Sequence, residues 1–259
     1  MSSGEPYPGT QAVMRAIALL KTFSDEQPEL GLAELARLVG LNKTTTYRLL
    51  TALESEGMVT RNPVTDAYRL GPAMITLGGQ AVRANDLTLV SQPELAALAE
   101  QVGEATTLEV LIDNEVLVLL EVPGGHLVST NQSVGTRWPA HATSTGKVLL
   151  AHLPSASLET KFQTPLLGLT DRTIIDSAEF RRELEAVRQQ GYAIADQEIE
   201  VGFMAIGAGI RDHNGQIVAA ISVNGPTARL TPDRMPGVIE QVQAAAGRIS
   251  AQLGFRPVA

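Results

Sequence analysis

The run Thr143-Ser144-Thr145-Gly146-Lys147 is the first place where residue types and spacing offer chemistry. Small residues that open a helix leave the first-turn N–H groups without intrahelical partners and aim them at an anionic or polar ligand. This is not a nucleotide phosphate loop, because His141 stands where the first glycine is required and Val148 where Ser or Thr would reach magnesium. A tight helix start that serves packing alone is the alternative reading. Catalytic patterns are otherwise missing from the sequence. His126, His141, His152 and His213 are scattered, none in an H-x-x-x-H metal spacing, and no G-x-S-x-G elbow occurs. The cysteine count is zero, which removes disulfides, thiolate chemistry and Cys-based metal sites. Asp196, Glu198 and Glu200 alternate, so a strand would set them on one face. Without a partnered acid or metal motif they read as a solvated edge.

A second set of residues lies nearer the start. Thr46, Leu49, Leu50 and Leu53 fall on one face of a helix spanning Lys43 to Ser55, leaving Thr44, Thr45, Arg48 and Thr51 pointing outward. An outward face of short hydroxyls and one arginine, free of carboxylates, can approach a phosphate-lined groove closely: Thr bonds phosphates or bases, and Arg forks onto guanine. Leu35 to Leu53 holds Arg37, Lys43 and Arg48 and no acid, whereas the whole chain has net charge −8. The acid lies elsewhere. Residues 1–71 carry 7 Lys/Arg against 8 Asp/Glu, leaving 13 against 20 for the rest.

The elements that must position these residues follow from periodicity. Val13, Ala16, Ile17, Leu20 and Phe23 form the stripe of a first helix ending near Ser24. Leu32, Leu35, Ala36 and Val39 form that of a second, stopped at Gly40. Asn42 offers the N-cap of the third helix, which Gly57 closes. Two short helices with a few residues between them, one a glycine, have the spacing of a helix-turn-helix. Beyond it, Met58 to Arg61 and Ala67 to Leu70 flank the turn Asn62-Pro63-Val64-Thr65-Asp66, a hairpin with Arg61 and Arg69 near its tip, suited to a wing against a DNA backbone. Later, Ala105 to Ile112, Val116 to Val122 and Gln216 to Asn224 read as strands. Thr231 reads as the cap of a last helix with Pro232 in its first turn and Val238, Ile239, Val242, Ala245, Ala246, Ile249 and Leu253 on its stripe.

A length of 259 residues with 44% hydrophobic content points to two globular domains. No apolar run of about 18 residues occurs, and the start MSSGEPYPGT has neither a basic end nor an apolar core. It reads as a flexible tail over residues 1–9, with the cytoplasm as default location and no membrane partner.

The segment from Gly31 to Gly78 closely resembles the N-terminal domain of the IclR family of bacterial transcriptional regulators. The marks are L-A-x-L-A-x-x-x-G-L at Leu32 to Leu41, K-S/T-T-x-Y/H-R-L-L at Lys43 to Leu50, and Y-R-L-G at Tyr68 to Gly71. The resemblance continues through H-A-T-x-x-G-K at His141 to Lys147, L-T-x-R-T-I at Leu169 to Ile174, R-x-x-G-Y at Arg188 to Tyr192 and I/L-S-V/I-S-G-P at Ile221 to Pro226, where Asn224 replaces the second serine. It covers the chain from about Thr10 to Leu253.

That resemblance implies an α+β protein: a winged helix-turn-helix over residues 1–71, a linker helix over 72–86, and a GAF/PAS-like α/β domain over 87–259 that binds an effector and oligomerises. It implies a ligand-responsive regulator, a repressor before an activator, binding near-palindromic double-stranded operator DNA as a homodimer or dimer of dimers, with no cofactor and no metal. The DNA-facing set becomes Asn42, Lys43, Thr44, Thr45, Tyr47, Arg48, Arg61 and Arg69. The effector set becomes Ser144, Thr145, Gly146, Ala195, Ala205, Ser222 and Asn224. Members that bind glyoxylate present an Asp, a Cys and two Ser at the last four positions, so two polar groups are alanines here. That implies a larger or less polar effector, with Trp138, Leu120 and Phe203 as candidate apolar walls; an alignment slip of one would bring in Asp196 or Met204. Two alternatives stand beside this reading: a C-terminal domain that only oligomerises, and an enzyme on a GAF-like fold.

Overall fold

The computed structural model describes residues 10–83, 86–125, 134–154, 158 and 166–256, and the chain divides into two units, Met1–Ala84 and Asn85–Ala259. The tail reading over residues 1–9 and His126 lie outside the described residues. Together the units make the α+β fold.

In the first unit, α1 (Gln11–Leu20), α2 (Leu32–Leu38) and α3 (Lys43–Ser55) precede a hairpin of β1 (Val59–Arg61) and β2 (Tyr68–Leu70), and α4 (Pro72–Arg83) follows. Leu19, Leu30, Leu35, Leu50, Val59 and Tyr68 form its core. Each fully buried leucine contributes about 2 kcal/mol by leaving water. Leu35 and Ala36 of the α2 stripe are buried with Leu32 and Val39 beside them, and Gly40 ends the segment at φ +65, a conformation that costs a residue without a Cβ least. The first stripe needs correcting. α1 ends at Leu20, not near Ser24, because the Thr22 hydroxyl takes the Leu19 carbonyl at 2.7 Å and diverts the chain into a turn. Leu19, off the expected stripe, is fully buried, while Val13, Met14 and Ile17 stay 59%, 55% and 41% exposed.

The second unit is built on a six-stranded antiparallel sheet in the order β5-β4-β3-β8-β7-β6. Its elements are α5 (Asp86–Val102), β3 (Ala105–Ile112), β4 (Glu115–Val122), β5 (Arg137–Pro139), α6 (Ser144–Ala151), α7 (Ser177–Gln190), β6 (Tyr192–Asp196), β7 (Phe203–Arg211), β8 (Ile217–Pro226) and α8 (Met235–Gln252). Alternation along the strands gives the sheet two faces. On one, Leu108, Ile206, Ala208, Ile210, Ile221 and Val223 pack with Leu95 and Leu98 of α5 and with Val238, Val242 and Ile249 of α8. On the other, Val116, Ala193 and Ala220 pack under Val148 to Ala151 of α6 and under Phe180, Leu184 and Val187 of α7. The last-helix stripe is as expected, but its start is not. Thr231 gives only its backbone carbonyl, to Arg234 and Met235 N–H, so Thr231–Arg234 is a separate turn, and the proline in the first turn of α8 is Pro236.

Candidate nucleic-acid interface and effector site

α3 starts where Asn42 stops being helical. The Asn42 side-chain oxygen accepts the Thr45 N–H at 2.8 Å, satisfying one of the orphan donors, so Asn42 works first as a cap. Thr46 and Leu50 then turn inward and are fully buried. Lys43, Thr44, Tyr47, Arg48 and Thr51 remain exposed along one side of the helix, whereas Thr45 is half-buried. Of this set, Tyr47 cannot be found from spacing alone. Its neighbours at Thr46 and Leu50 define the inward face, and it lies just outside that face at 45% exposure.

The hairpin forms as expected, closed by an Asx turn in which Asn62 Oδ1 accepts the Val64 N–H at 2.9 Å. Leu30 adds backbone bonds to Tyr68 in both directions, tying the approach to α2 onto the wing. Arg61 of the hairpin has an acidic partner within its own turn. Its guanidinium bonds Asp66 at 2.6 Å and lies 5.7 Å from the centre of the Tyr68 ring, so part of its charge is already neutralised. Arg69 is exposed opposite Thr60.

In the second unit, register decides which residues share a face. Ala195 pairs with Ala205, Ala205 with Asn224, and Asn224 with Ala105, which sets Ala195, Ala205 and Asn224 in one row across β6, β7 and β8. The next row runs Ala193, Gly207, Ser222, Thr107. Four candidate effector positions that are far apart in sequence are thus brought together. α6 lies against this face with its first turn at Gly207, where an added Cβ would sit 3.0 Å from Ser144 and Thr145 backbone atoms.

The start of α6 is more self-contained than its sequence suggests. Thr143 Oγ1 accepts the Gly146 N–H at 2.9 Å, and a Cβ on Gly146 would lie 2.1 Å from the Ala140 carbonyl oxygen. Gly146 therefore serves close packing and capping, and its amide already has a partner. Ser144 and Thr145 are buried. The Thr145 hydroxyl donates to the carboxyl of Glu109, which is itself 6% exposed and meets Thr107 Oγ1 at 2.8 Å. Thr107 Oγ1 is 2.8 Å from Ser222 Oγ, and Ser222 donates to Asn224 Oδ1 at 2.9 Å. Burial pushes the Glu109 carboxyl up, and the Glu121 charge adds to that, while the Thr145 and Thr107 hydrogen bonds oppose it. Sequence patterning misses Thr107 and Glu109, because polar residues in the otherwise apolar stretch Ala105–Ile112 carry no local sign of what they face.

Other expected neighbours fall elsewhere. Leu120 pairs with Leu108 and packs into the α5–α8 core, on the far side of the sheet from Asn224, so it is no wall of this site. Phe203 lies two residues from Ala205 and shares its face, and Trp138 pairs with Val116 at the opposite edge, 37% exposed. A slip of one residue would not bring Asp196 or Met204 into the site. They pair with each other on the other face, lining an open depression of about 420 Å³ with Ile194, Leu230, Pro232 and Met235. Glu198 is not a solvated edge either. β6 ends at Asp196, Gln197 takes φ +60, and the chain turns Glu198 inward to 5% exposure against Lys147.

Among the described residues no group of three or more His, Asp or Glu is placed to hold a metal ion, and no helix is long and apolar enough to cross a membrane. The family model described as the IclR helix-turn-helix domain matches residues 12–63, and that described as the bacterial transcriptional regulator IclR C-terminal domain matches residues 79–251. The chain is 32% identical over 246 residues to the HTH-type transcriptional regulator KipR of Bacillus subtilis, covering 95% of this chain and 98% of that protein. It is 31% identical to the HTH-type transcriptional repressor AllR of Klebsiella pneumoniae, over 97% of this chain and 93% of that one. Among solved structures, an IclR homologue from Microbacterium hydrocarbonoxydans complexed with 4-hydroxybenzoate superposes with a TM-score of 0.81 at 28% identity, over 93% of this chain and 98% of that chain. KipR and AllR are named as transcriptional regulators, and α2 and α3 with the turn between them lie within the helix-turn-helix match of this chain, which belongs to the IclR family of bacterial transcriptional regulators.

Proposed function

We propose that the chain is a cytoplasmic repressor that binds a near-palindromic operator as a homodimer or dimer of dimers and responds to a small organic effector. The observation that carries this is the exposed side of α3 from Lys43 to Thr51, free of carboxylates until Glu54 in the last turn, with Lys43, Thr44, Tyr47, Arg48 and Thr51 turned outward from a buried Thr46–Leu50 seam. α3 enters the major groove, with Arg48 reading a base and Lys43 and the wing residue Arg69 contacting phosphates. The domain limits are 1–71 for DNA binding, 72–86 for the linker and 87–259 for sensing and assembly. Self-association is supported by the exposed apolar residues Val13, Met14 and Ile17 of α1 and Ile75 and Leu77 of α4. A symmetric dimer presents two recognition helices about a two-fold axis, hence the inverted repeat. Selection of bound genomic fragments followed by footprinting tests this reading. A protected inverted repeat supports it, and a single asymmetric half-site held by one chain overturns it.

The effector sits on the sheet face formed by Ala195, Ala205, Ser222 and Asn224, beside Ser144 and Thr145. Alanines at two of these positions leave a polar end at Asn224 and Ser222 and an apolar remainder reaching Phe203, which suits a polar head on an apolar, aromatic body. The related Microbacterium protein complexed with 4-hydroxybenzoate supports this class of ligand. Calorimetric titration with glyoxylate, pyruvate and a panel of aromatic acids tests it. Binding of the two small acids without aromatic binding overturns it. A module that only oligomerises would bind none of them.

A further inference from the structure

We propose that Glu109 is held as the neutral acid and sets the polarity of a hydrogen-bond chain, Glu109–Thr107–Ser222–Asn224, whose far end selects effectors that present an acceptor oxygen to the Asn224 amide nitrogen. The proposal rests on the effector-site reading above for its ligand, but not for the state of Glu109.

The hydrogens along the chain fix its polarity. The chain has three oxygen–oxygen contacts: Glu109 Oε1 to Thr107 Oγ1 at 2.8 Å, Thr107 Oγ1 to Ser222 Oγ at 2.8 Å, and Ser222 Oγ to Asn224 Oδ1 at 2.9 Å. Each contact needs one hydrogen. Thr107 and Ser222 own one each, and an amide oxygen owns none. With Ser222 donating to Asn224, Thr107 must donate to Ser222, and the third hydrogen has to come from Glu109 as a carboxylic acid donating to Thr107. Asn224 Nδ2 completes the coordination of Thr107 at 3.4 Å. On its other oxygen Glu109 accepts from Thr145. An ionised Glu109 would leave one contact without a hydrogen, unless the Asn224 amide turned over, Nδ2 donated to Ser222, and the whole chain ran the other way.

The surroundings favour the first polarity. Burial alone raises the free energy of a carboxylate, and the charged group facing Glu109 is another acid, Glu121 of β4. β8 offers Ser222 and Asn224, and α6 offers the Thr145 hydroxyl, while Lys147 of α6 is turned to Glu183, Glu198 and the Ile194 carbonyl. Asn224 is the half-exposed end of the chain. In this polarity its Oδ1 is occupied by Ser222, and its second N–H has no partner among the described residues. The site therefore offers a donor to a carboxylate or carbonyl oxygen. The opposite polarity would offer Oδ1, an acceptor, to an ammonium or hydroxyl. Binding of an acceptor at Asn224 is thereby linked to the proton on Glu109, 115 positions away from Asn224.

The test uses the full chain and four proteins: wild type, Glu109→Gln, Ser222→Ala and Thr107→Val. Gln keeps the pattern of the neutral acid, donating through its nitrogen to Thr107 and accepting from Thr145, so it preserves the fold. Infrared difference spectra of wild type minus Glu109→Gln at neutral pH are expected to show the carbonyl stretch of a protonated carboxylic acid. Absence of that band overturns the proposal without reference to any ligand. Calorimetry with 4-hydroxybenzoate and with 4-hydroxybenzylamine then reads the polarity. Expected are preference for the acid, equal affinity of wild type and Glu109→Gln at the acidic end, and a wild-type loss approaching tenfold per pH unit that tracks the disappearance of the infrared band. In Ser222→Ala and Thr107→Val, which both break the chain, the affinity that remains should no longer follow pH in this way; a pH dependence kept in Thr107→Val overturns the proposal. Preference for the amine, or a wild-type loss that does not track the band, overturns the proposal. If neither probe binds any of the proteins, the effector-site reading fails, and the infrared result still decides Glu109.

Discussion

Lys147 Nζ lies 2.5 Å from Glu198 Oε1, with 1% and 6% of the two side chains exposed, and a second carboxylate, Glu183, stands 3.1 Å away. The ammonium also donates to the Ile194 carbonyl at 2.9 Å, so α6 is pinned to the end of β6 and to the turn that follows it. Burial pushes the Glu198 carboxyl up, and the Lys147 charge pulls against it. Removing one partner strands the other, which costs about 3–5 kcal/mol for a buried pair, whereas removing both costs much less. Lys147→Met is therefore expected to lower the melting temperature markedly, and Lys147→Met with Glu198→Gln to recover a good part of the loss. Thermal scans of wild type, Lys147→Met, Glu198→Gln and the double variant check it; an additive double variant would show that the pair is not coupled.

Arg48 and Lys43 occupy different places on α3, both exposed. Replacing a residue that forks onto a base edge weakens specific binding by roughly 1–3 kcal/mol, while replacing a phosphate contact weakens all sequences alike and lowers the salt slope by about 1. Arg48→Ala should show the first pattern and Lys43→Ala the second in binding titrations across salt concentrations. Unchanged operator affinity in both would place the recognition surface elsewhere.

Asp66 holds Arg61 at the wing, opposite in charge and within 2.6 Å. Asp66→Asn keeps the turn-compatible side chain at a residue with φ +62 but removes the negative charge. The variant is expected to bind DNA several-fold more tightly at low salt, with a steeper salt dependence and no gain in sequence preference, because the freed guanidinium adds a phosphate contact. Equal salt slopes for the two proteins would mean that Arg61 faces away from DNA.

His141 and His152 both sit with their pKa lowered, first by burial, against an ordinary value of 6.5. His141 Nε2 meets the Leu167 carbonyl at 2.8 Å and its ring stands edge-on to Phe180, an arrangement that suits the neutral imidazole with its proton on Nε2. A group whose folded pKa is depressed stabilises the fold above its unfolded pKa, and that contribution is lost as pH falls below 6.5 toward the folded value. The buried carboxyls Glu109 and Glu198, raised, act in the opposite direction, so the total is not the useful readout. The melting-temperature advantage of wild type over His141→Gln should shrink as pH is lowered through 6.5. An advantage that is constant or grows on acidification would contradict a buried neutral His141.

Helix faces were legible in the sequence because they are local. Residues three and four apart meet on one side whatever the rest of the chain does, so Thr46, Leu50, Leu35 and Ile249 announce their burial by spacing alone. The exposed side of α3 and the glycine stop at Gly40 follow from the same rule. α5 was not legible, since Pro93 interrupts its pattern even though Leu95, Leu98, Ala99 and Val102 beyond it are buried. Strand residues declare alternation but not which face is which, and only pairing across the sheet decides that. The six strands set Thr107 beside Ser222 and give Leu120 to the opposite core, with a bulge between Leu108 and Glu109 that lets Glu109 face Val118. A single left-handed residue at Gln197 turned an apparent edge acid, Glu198, into half of a buried ion pair. The sequence by itself determined the helix-turn-helix and the family, because both rest on short-range patterns. The tertiary structure alone decided the buried polar row of Glu109, Thr107, Ser222 and Asn224, because pairing and packing bring the Thr145 hydroxyl to Glu109 from 36 positions away and Ser222 to Thr107 from 115.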